Sequence, residues 1–483
     1  MKHKIKLFKD TAFYSLGTII PQMLNFILLP VFTRFLSPDD YGIIYYTNSV
    51  VMFIFVLSTL ALNTFLLRYY FEYRTADEKK RMIGNTFVFI LFYNLLFLAF
   101  SLGLGRYVTI SLKIKVPFYP FFFLALINNF FNTLSIVPLA VFRVKKKARA
   151  FVLINSSRVV LSALLALFLI VRLKWGVLGK FYGELYVNIL FSIIYFIIVF
   201  KNSIINLNLK QIKKALRFSL PLLPGAFAFL LIDLSDRVIL ERFISLSELG
   251  IYSVAYTIAF SINFLIIGGY QAFEPVLFEQ FNKKRFPDTV RFIKKYYMYI
   301  IFITAFVLAF FSLEVFRMMA TVKFYRGYLY VPLFVMAAIL KGEYYIVSTI
   351  LIASKKTFRS TLAVIIGGLG NIILNLWFIP RFGVYGAAFA KPFSFLAMFL
   401  VAYLFLDKDL RLKITEMTGD LFSFLIGSLI VYFTIYYFHV DLILRIVIFI
   451  ILGLVITKAF HIKMGRYIMK IKSFVMTGSL NDQ

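Results

Sequence analysis

An all-α, multi-pass membrane protein of fourteen transmembrane helices is predicted, arranged as two parallel six-helix repeats followed by two extra C-terminal helices. Three observations predict it. Hydrophobic residues make up 61% of the 483 residues and charged ones 16%, whereas soluble domains hold roughly 45–50% and about 25%. Apolar runs of ~20 residues, the length that crosses a bilayer core as a helix, recur along the whole chain. A short polar phrase is written twice, as RFLSPDDYGI at 34–43 and RFISLSELGI at 242–251.

The first span, 11–35, follows the basic stretch MKHKIKLFKD. It is too long for the apolar region of a signal peptide and shows no small-residue cleavage site, so it is read as a retained helix. Further spans are expected at 42–67, 83–107, 117–142, 150–171, 176–200, 215–240, 249–275, 292–315, 328–353, 359–379, 384–406, 420–438 and 441–460. Prolines inside them, Pro21, Pro30, Pro138, Pro221 and Pro224, suit a membrane bundle, where neighbours satisfy the freed carbonyls. About two thirds of the 53 Lys and Arg residues fall on the set of helix ends that includes both termini. Basic residues accumulate on the cytoplasmic side, so both termini are expected there, which requires an even number of spans.

The net charge of +31 is therefore a topology signal and an anchor to the lipid surface, and nucleic acid is not an expected partner. No extramembrane segment is long enough for a catalytic domain, and no enzyme activity is expected. Cysteine is absent, and His3, His439 and His461 lie far apart, so no metal site and no cofactor are expected.

The doubled phrase recurs at an offset of 208 residues. At nearly the same offset WGVLGKFYG (175–183) matches FGVYGAAFA (382–390), KKKAR (145–149) matches KKTFR (355–359), and YSLGTIIP (14–21) matches FSLPLLP (218–224). A repeat of six spans inserts both copies in the same direction, giving parallel repeats about an axis along the membrane normal. Lobes 1–205 (helices 1–6) and 206–410 (helices 7–12) are expected to face each other across a cleft. Residues 411–483 add helices 13–14 and a cytoplasmic tail. Locally the doubled phrase reads as a helix end and tight turn, with Gly42 and Gly250 at special backbone angles. The GGLG run at 367–370 lies within a span and reads as close helix packing.

These segments carry a resemblance. LPVFTRFLSPDDYGI at the end of span 1, SLPLLPGAFAFLLIDLSDRVILERFISLSELGIYSVAY (219–256) and GNIILNLWFIPRFGVYGAAFA (370–390) resemble motifs of the Wzx-type polysaccharide (O-antigen) flippases. That family belongs to the multidrug/oligosaccharidyl-lipid/polysaccharide (MOP) exporter superfamily. The likeness spans essentially the whole chain and is specific for the fold more than for the substrate. It implies a transporter in the bacterial cytoplasmic membrane that flips an undecaprenyl-diphosphate-linked oligosaccharide from inner to outer leaflet by alternating access, for lipopolysaccharide or another surface polymer. The implied partners are that lipid-linked oligosaccharide, membrane lipids and a polysaccharide polymerase complex, with the protein itself a monomer. A lipid II-type flippase or a cation-coupled multidrug exporter of the same fold is the alternative. The lipid II relative carries arginines deep in spans 1, 2 and 8. Here no basic residue lies between Lys9 and Arg34, span 2 has no charge before Arg68, and span 8 holds only Glu274.

A charge within a span costs about 2.5–3.5 kcal/mol on insertion scales, so it faces a cavity or a partner. Given the resemblance, Arg158, Lys341, Lys391 and Arg68 are candidates to bind a diphosphate, Arg as a bidentate fork and Lys as a point charge. Asn371 and Asn375, spaced i, i+4, are candidates for sugar hydroxyls. For gating or coupling the candidates are Asp233 and Asp236 on one helix face, Arg237, Glu184, Glu274 and Glu343. Glu184 and Lys391 occupy equivalent repeat positions and are expected to pair across the cleft, and Asp236 with Arg237 as a structural pair. Lys341 and Glu343, two apart, point to different partners.

Overall fold

The computed structural model describes residues 26–205, 207–283, 286–408 and 442–459, together with Ile20, Met23, Leu24 and Leu410. Expected span 13, the tail and the start of span 1 lie outside them. The described residues are helical nearly throughout and contain no strand. Ten of their helices are long and apolar enough to cross a membrane. They cover expected spans 2–12, the last, Thr357–Leu404, running through two of these.

The first half opens with α1 (Leu29–Phe35) and α2 (Pro38–Thr59). Ser37 starts α2 with a capping box: its N–H donates to Asp40 Oδ2 at 2.8 Å, and the Asp40 N–H donates to Ser37 Oγ at 3.2 Å. The reciprocal pair satisfies two orphan amides of the first turn. Expected span 2 then breaks at Leu60 and Ala61, both at positive φ, before α3 (Leu62–Tyr69). The carbonyl of Ser58 at this break accepts from Asn94 Nδ2 at 2.9 Å, as a dry interior requires. Asn94 belongs to α4 (Ala76–Ser111). Its 36 residues span roughly 54 Å at 1.5 Å per residue, more than a bilayer core is thick. There follow α5 (Phe123–Thr133), α6 (Ile136–Val144), α7 (Ala148–Val171) and α8 (Gly176–Asn202).

After α9 (Leu209–Ser219), which packs on α3 and α4, the second half repeats the opening. Helix α10 (Leu223–Phe243) ends, and Ser245 caps α11 (Leu246–Ala259) with the same box, closed by Glu248. Then come α12 (Asn263–Gln280), α13 (Phe286–Phe310), α14 (Ser312–Met319), α15 (Val331–Ala353) and α16 (Thr357–Leu404). Gly383, at φ 54, ψ −129, interrupts α16. The described chain closes with α17 (Leu442–Ala459). Of the prolines flagged in the sequence, Pro30 and Pro224 sit in the opening residues of α1 and α10 and Pro221 in a 3-10 turn. The first-turn position needs no amide hydrogen, so proline costs little there.

The two halves meet where α2 packs against α10 and α11. Gly42 and Gly250 are not at special backbone angles, which corrects the reading from sequence: both lie inside helices. What they permit is contact. A Cβ on Gly42 would lie 2.0 Å from the carbonyl oxygen of Leu246, and one on Gly250 would lie 1.9 Å from that of Pro38. Pro38 and Leu246 are themselves equivalent positions of the doubled phrase, so the crossing is reciprocal. Beside it, Lys115 Nζ in the loop after α4 donates to the Ile244 carbonyl at 2.7 Å, and the Lys115 N–H donates to the Glu241 carboxylate. The GGLG run packs closely as expected, Gly368 against the backbone of Ala228.

Candidate functional site

Two cavities lie along α2. The first, about 520 Å³, is lined by α1, α2, α5, α7 and α8 of the first half. Its polar wall comes from helical spacing. Asn128, Asn129 and Asn132 project from α5, Arg158 and Ser162 from α7 at i, i+4, and Lys180, Glu184 and Asn188 from α8 at successive four-residue steps. Arg158 Nη1 donates to Asn188 Oδ1 at 3.0 Å, and Asn188 Nδ2 donates to Asn128 Oδ1 at 3.1 Å. Asn128 in turn donates to the Phe181 carbonyl at 3.0 Å. Arg158 Nε is buried without a hydrogen-bond partner. A buried unpaired donor costs about 1–3 kcal/mol, which marks a place where a ligand acceptor is worth most.

The second cavity, about 510 Å³, lies between the halves, against α2, α10 and α11. Arg237, Tyr45, Tyr256 and Asn263 line it. The Arg237 guanidinium lies 4.3 Å above the Tyr256 ring and 5.7 Å from that of Tyr45, a cation–π arrangement. Lys180 and Glu184, together with Phe32, Asn48 and Met52, line both cavities, which therefore meet at these side chains. The joint lining carries three cations, Arg158, Lys180 and Arg237, against one carboxylate, Glu184.

The other candidates from the sequence lie elsewhere. Lys391 is fully buried and pairs with Asp236 at 2.9 Å, not with Glu184. It also donates to the carbonyls of Ile232 and Asp233 at 3.2 and 2.9 Å. Glu184 pairs instead with Lys180 at 2.9 Å. The reason is distance along the fold: Lys391 packs onto α10 within the second half, while Lys180 is one turn from Glu184. Asp236 and Arg237 are in contact, the Arg237 N–H donating to Asp236 Oδ1 at 2.9 Å, and each side chain has further partners. Arg237 donates to Ser253 Oγ at 3.3 Å and to the Asp233 carbonyl at 3.2 Å, and Tyr252 donates to Asp236. Lys341 pairs with Asp233 at 3.4 Å, enclosed by the rings of Phe229, Phe260 and Phe395. Tyr256 donates to the same carboxylate at 3.3 Å. Glu343 pairs with Lys294 at 3.1 Å, so it and Lys341 do face different partners. Asn371 and Asn375 are wholly buried in a chain with Ser235 and Ser394, bonded at 2.8–2.9 Å, and line neither cavity. Arg68 is 68% exposed and pairs with Glu72 at 3.6 Å on the surface of α3. Glu274 accepts from Tyr270 on its own helix, outside both linings.

The structure thus places an amide-lined chamber in the first half and buried ion pairs in the second. Of the expected anion-binding residues, only Arg158 lines the chamber. Lys180 and the asparagines of α5 and α8 were not singled out for binding from sequence. Three asparagines within five residues of an apolar span, and a Lys–Glu pair at i, i+4 in another, were the available signals. No group of His, Cys, Asp and Glu able to hold a metal occurs among the described residues.

Comparison with known proteins agrees with this architecture. Residues 7–281 match the family model for polysaccharide biosynthesis proteins. A Haemophilus influenzae relative, Lsg locus putative protein 1, is 22% identical over 287 residues, covering 58% of this chain and 68% of its own. The solved structure of the lipid II flippase MurJ in an inward closed conformation aligns with TM-score 0.70 at 17% identity, covering 94% of this chain and 98% of that one. An inward-facing MATE multidrug transporter of the MOP superfamily aligns with TM-score 0.66 at 14% identity, covering 84% and 99%. On the family match, which covers more than half its length, the chain belongs to the polysaccharide biosynthesis protein family, and it carries the fold of the MOP exporters.

Proposed function

We propose that the protein flips a polyprenyl-diphosphate-linked oligosaccharide from the inner to the outer leaflet of the bacterial cytoplasmic membrane, by alternating access, for a cell-surface polysaccharide. One observation carries this reading. The joined cavities have a lining with a net charge of two positive units and a wall of amides. A diphosphate esterified at both ends carries two negative charges, and sugar hydroxyls pair well with amides, which both donate and accept. A pocket for cationic drugs would need the opposite sign. Arg158 offers the phosphate its unpaired Nε, and Asn128, Asn129, Asn132 and Asn188 take the sugar. The halves rock apart at the α2–α11 crossing to release it. With both termini cytoplasmic, outward movement of an anion gains about 2.3 kcal/mol per charge per 100 mV from an inside-negative potential.

The test is reconstitution in vesicles with a labelled polyprenyl-diphosphate oligosaccharide. Arg158→Ala removes charge-assisted hydrogen bonds of about 1.5–3 kcal/mol each, so flipping is expected to fall at least about tenfold. Wild-type flipping by Arg158→Ala, or no flipping by the wild type, sinks the reading.

A further inference from the structure

We propose that Glu184 is a resident counter-anion for Lys180, and that a phosphate group entering the cavities displaces it to dock on the lysine. This rests on the reading of the joined cavities as the headgroup site and names the exchange that happens there.

Lys180 and Glu184 are the charged side chains lining both cavities, so a headgroup reaching from one to the other passes them. Their ion pair is 2.9 Å long, with side chains 21% and 33% exposed. It is tight enough to hold and open enough to be reached. Both belong to α8, one turn apart, so rotamer changes alone separate them and no helix need move. The surroundings explain why the lysine carries an anion of its own. Its ammonium lies 5.9 Å from the Phe32 ring, with Met52 and Phe181 nearby in the linings, and a cation among apolar groups is costly without a counter-charge. Glu184 supplies that charge while the site is empty, and phosphate oxygens replace it when the site fills. Arg158 differs: its hydrogen-bond partner is the neutral amide of Asn188, so no anion must leave before it accepts one.

This arrangement selects for charge. A neutral headgroup gains nothing by opening the Lys180–Glu184 pair. A phosphorylated one offers several oxygens in exchange for a single carboxylate, and the released Glu184 is left free to accept sugar hydroxyls.

The experiment is a double-mutant cycle on the purified full-length protein in detergent, with inorganic pyrophosphate as the probe and binding measured calorimetrically. Glu184→Gln frees Lys180 and is expected to tighten pyrophosphate binding about three- to tenfold, the size of a partly exposed ion pair. Lys180→Gln is expected to weaken it by a similar factor or more. In the Lys180→Gln background, Glu184→Gln is expected to give no gain, because no lysine is left to release. The coupling between the two sites is what the cycle reads. Lys180→Arg, which keeps the cation in the same apolar setting, is expected to bind within about twofold of wild type. An unchanged affinity in Glu184→Gln overturns the proposal, as does an equal gain with and without Lys180, which would mark simple net-charge attraction. Failure here is separable from failure of the transport reading. A flat cycle beside a flipping-deficient Arg158→Ala removes only the exchange. An intact cycle in a protein that flips no lipid-linked sugar keeps the anion site and removes the transport role.

Discussion

Lys391 has no access to solvent, and its ammonium is held by the Asp236 carboxylate and two backbone carbonyls of α10. Removing one partner of such a pair strands the other charge in the interior, at a cost of about 3–5 kcal/mol. Lys391→Ala is therefore expected to lower thermal stability sharply in detergent. The double variant Lys391→Met/Asp236→Asn is expected to recover most of it, as followed by tryptophan-independent thiol-free unfolding assays such as static light scattering. A Lys391→Ala variant as stable as wild type would contradict the assignment. The sequence could name Lys341, Lys391, Asp233 and Asp236 because charge within an apolar run is conspicuous, and it could place Asp233 and Asp236 on one face because that needs only one helix. It could not pair them. The pairing depends on how α10, α15 and α16 pack, and repeat equivalence suggested Glu184 for Lys391 where packing supplied Asp236. Lys180 escaped because Glu184, one turn away, was assigned to Lys391 instead.

The helices themselves were largely legible, because a bilayer imposes a length and a composition that periodicity is not needed to detect. Their interruptions were less so. The break after α2 falls at Leu60 and Ala61, residues with no turn signature, and is supported from another helix by Asn94. Asn94→Leu leaves the Ser58 carbonyl without that donor, and a loss of about 1–3 kcal/mol is expected, read as a lower unfolding temperature. A second interruption was visible as Gly383 between two expected spans. Its φ of 54 with ψ of −129 is a conformation open essentially to glycine, costing other residues about 1–3 kcal/mol. Gly383→Ala is expected to show that penalty from backbone strain alone, since a Cβ there would meet no atom nearer than 4.0 Å. Stability unchanged within 0.5 kcal/mol, a rough bound for an innocuous surface change, would refute it. The capping boxes had a plain sequence signal, Ser-x-x-Asp and Ser-x-x-Glu, which reading the phrase as a turn obscured.

At the scale of the molecule, the two halves share their opening elements and differ in what they enclose. Among the described residues, the first half surrounds a cavity with amide and charged groups on its wall, and the second buries ion pairs and an Asn–Ser chain. Composition could not reveal this asymmetry, because buried charge is equally conspicuous whether it lines a void or fills one. Transport by relative motion of the halves predicts that joining them stops it. Thr321 Oγ1 donates to the Thr33 carbonyl at 3.2 Å between the α14–α15 segment and α1, and the chain has no cysteine of its own. Thr33→Cys/Thr321→Cys treated with a short bifunctional thiol reagent is expected to lose flipping, while either single variant treated alike keeps it. Full activity in the cross-linked pair would show that this contact need not part.

The crossing of α2 and α11 also explains why one phrase is written twice. Ordinary interfaces can drift, because a bulkier side chain on one surface is absorbed by a smaller one opposite. Here each glycine faces a main-chain oxygen of the other helix, and a main-chain oxygen has no smaller version. No second substitution can compensate for the first. The doubled phrase thus marks a crossing at which backbone rests on backbone from both sides.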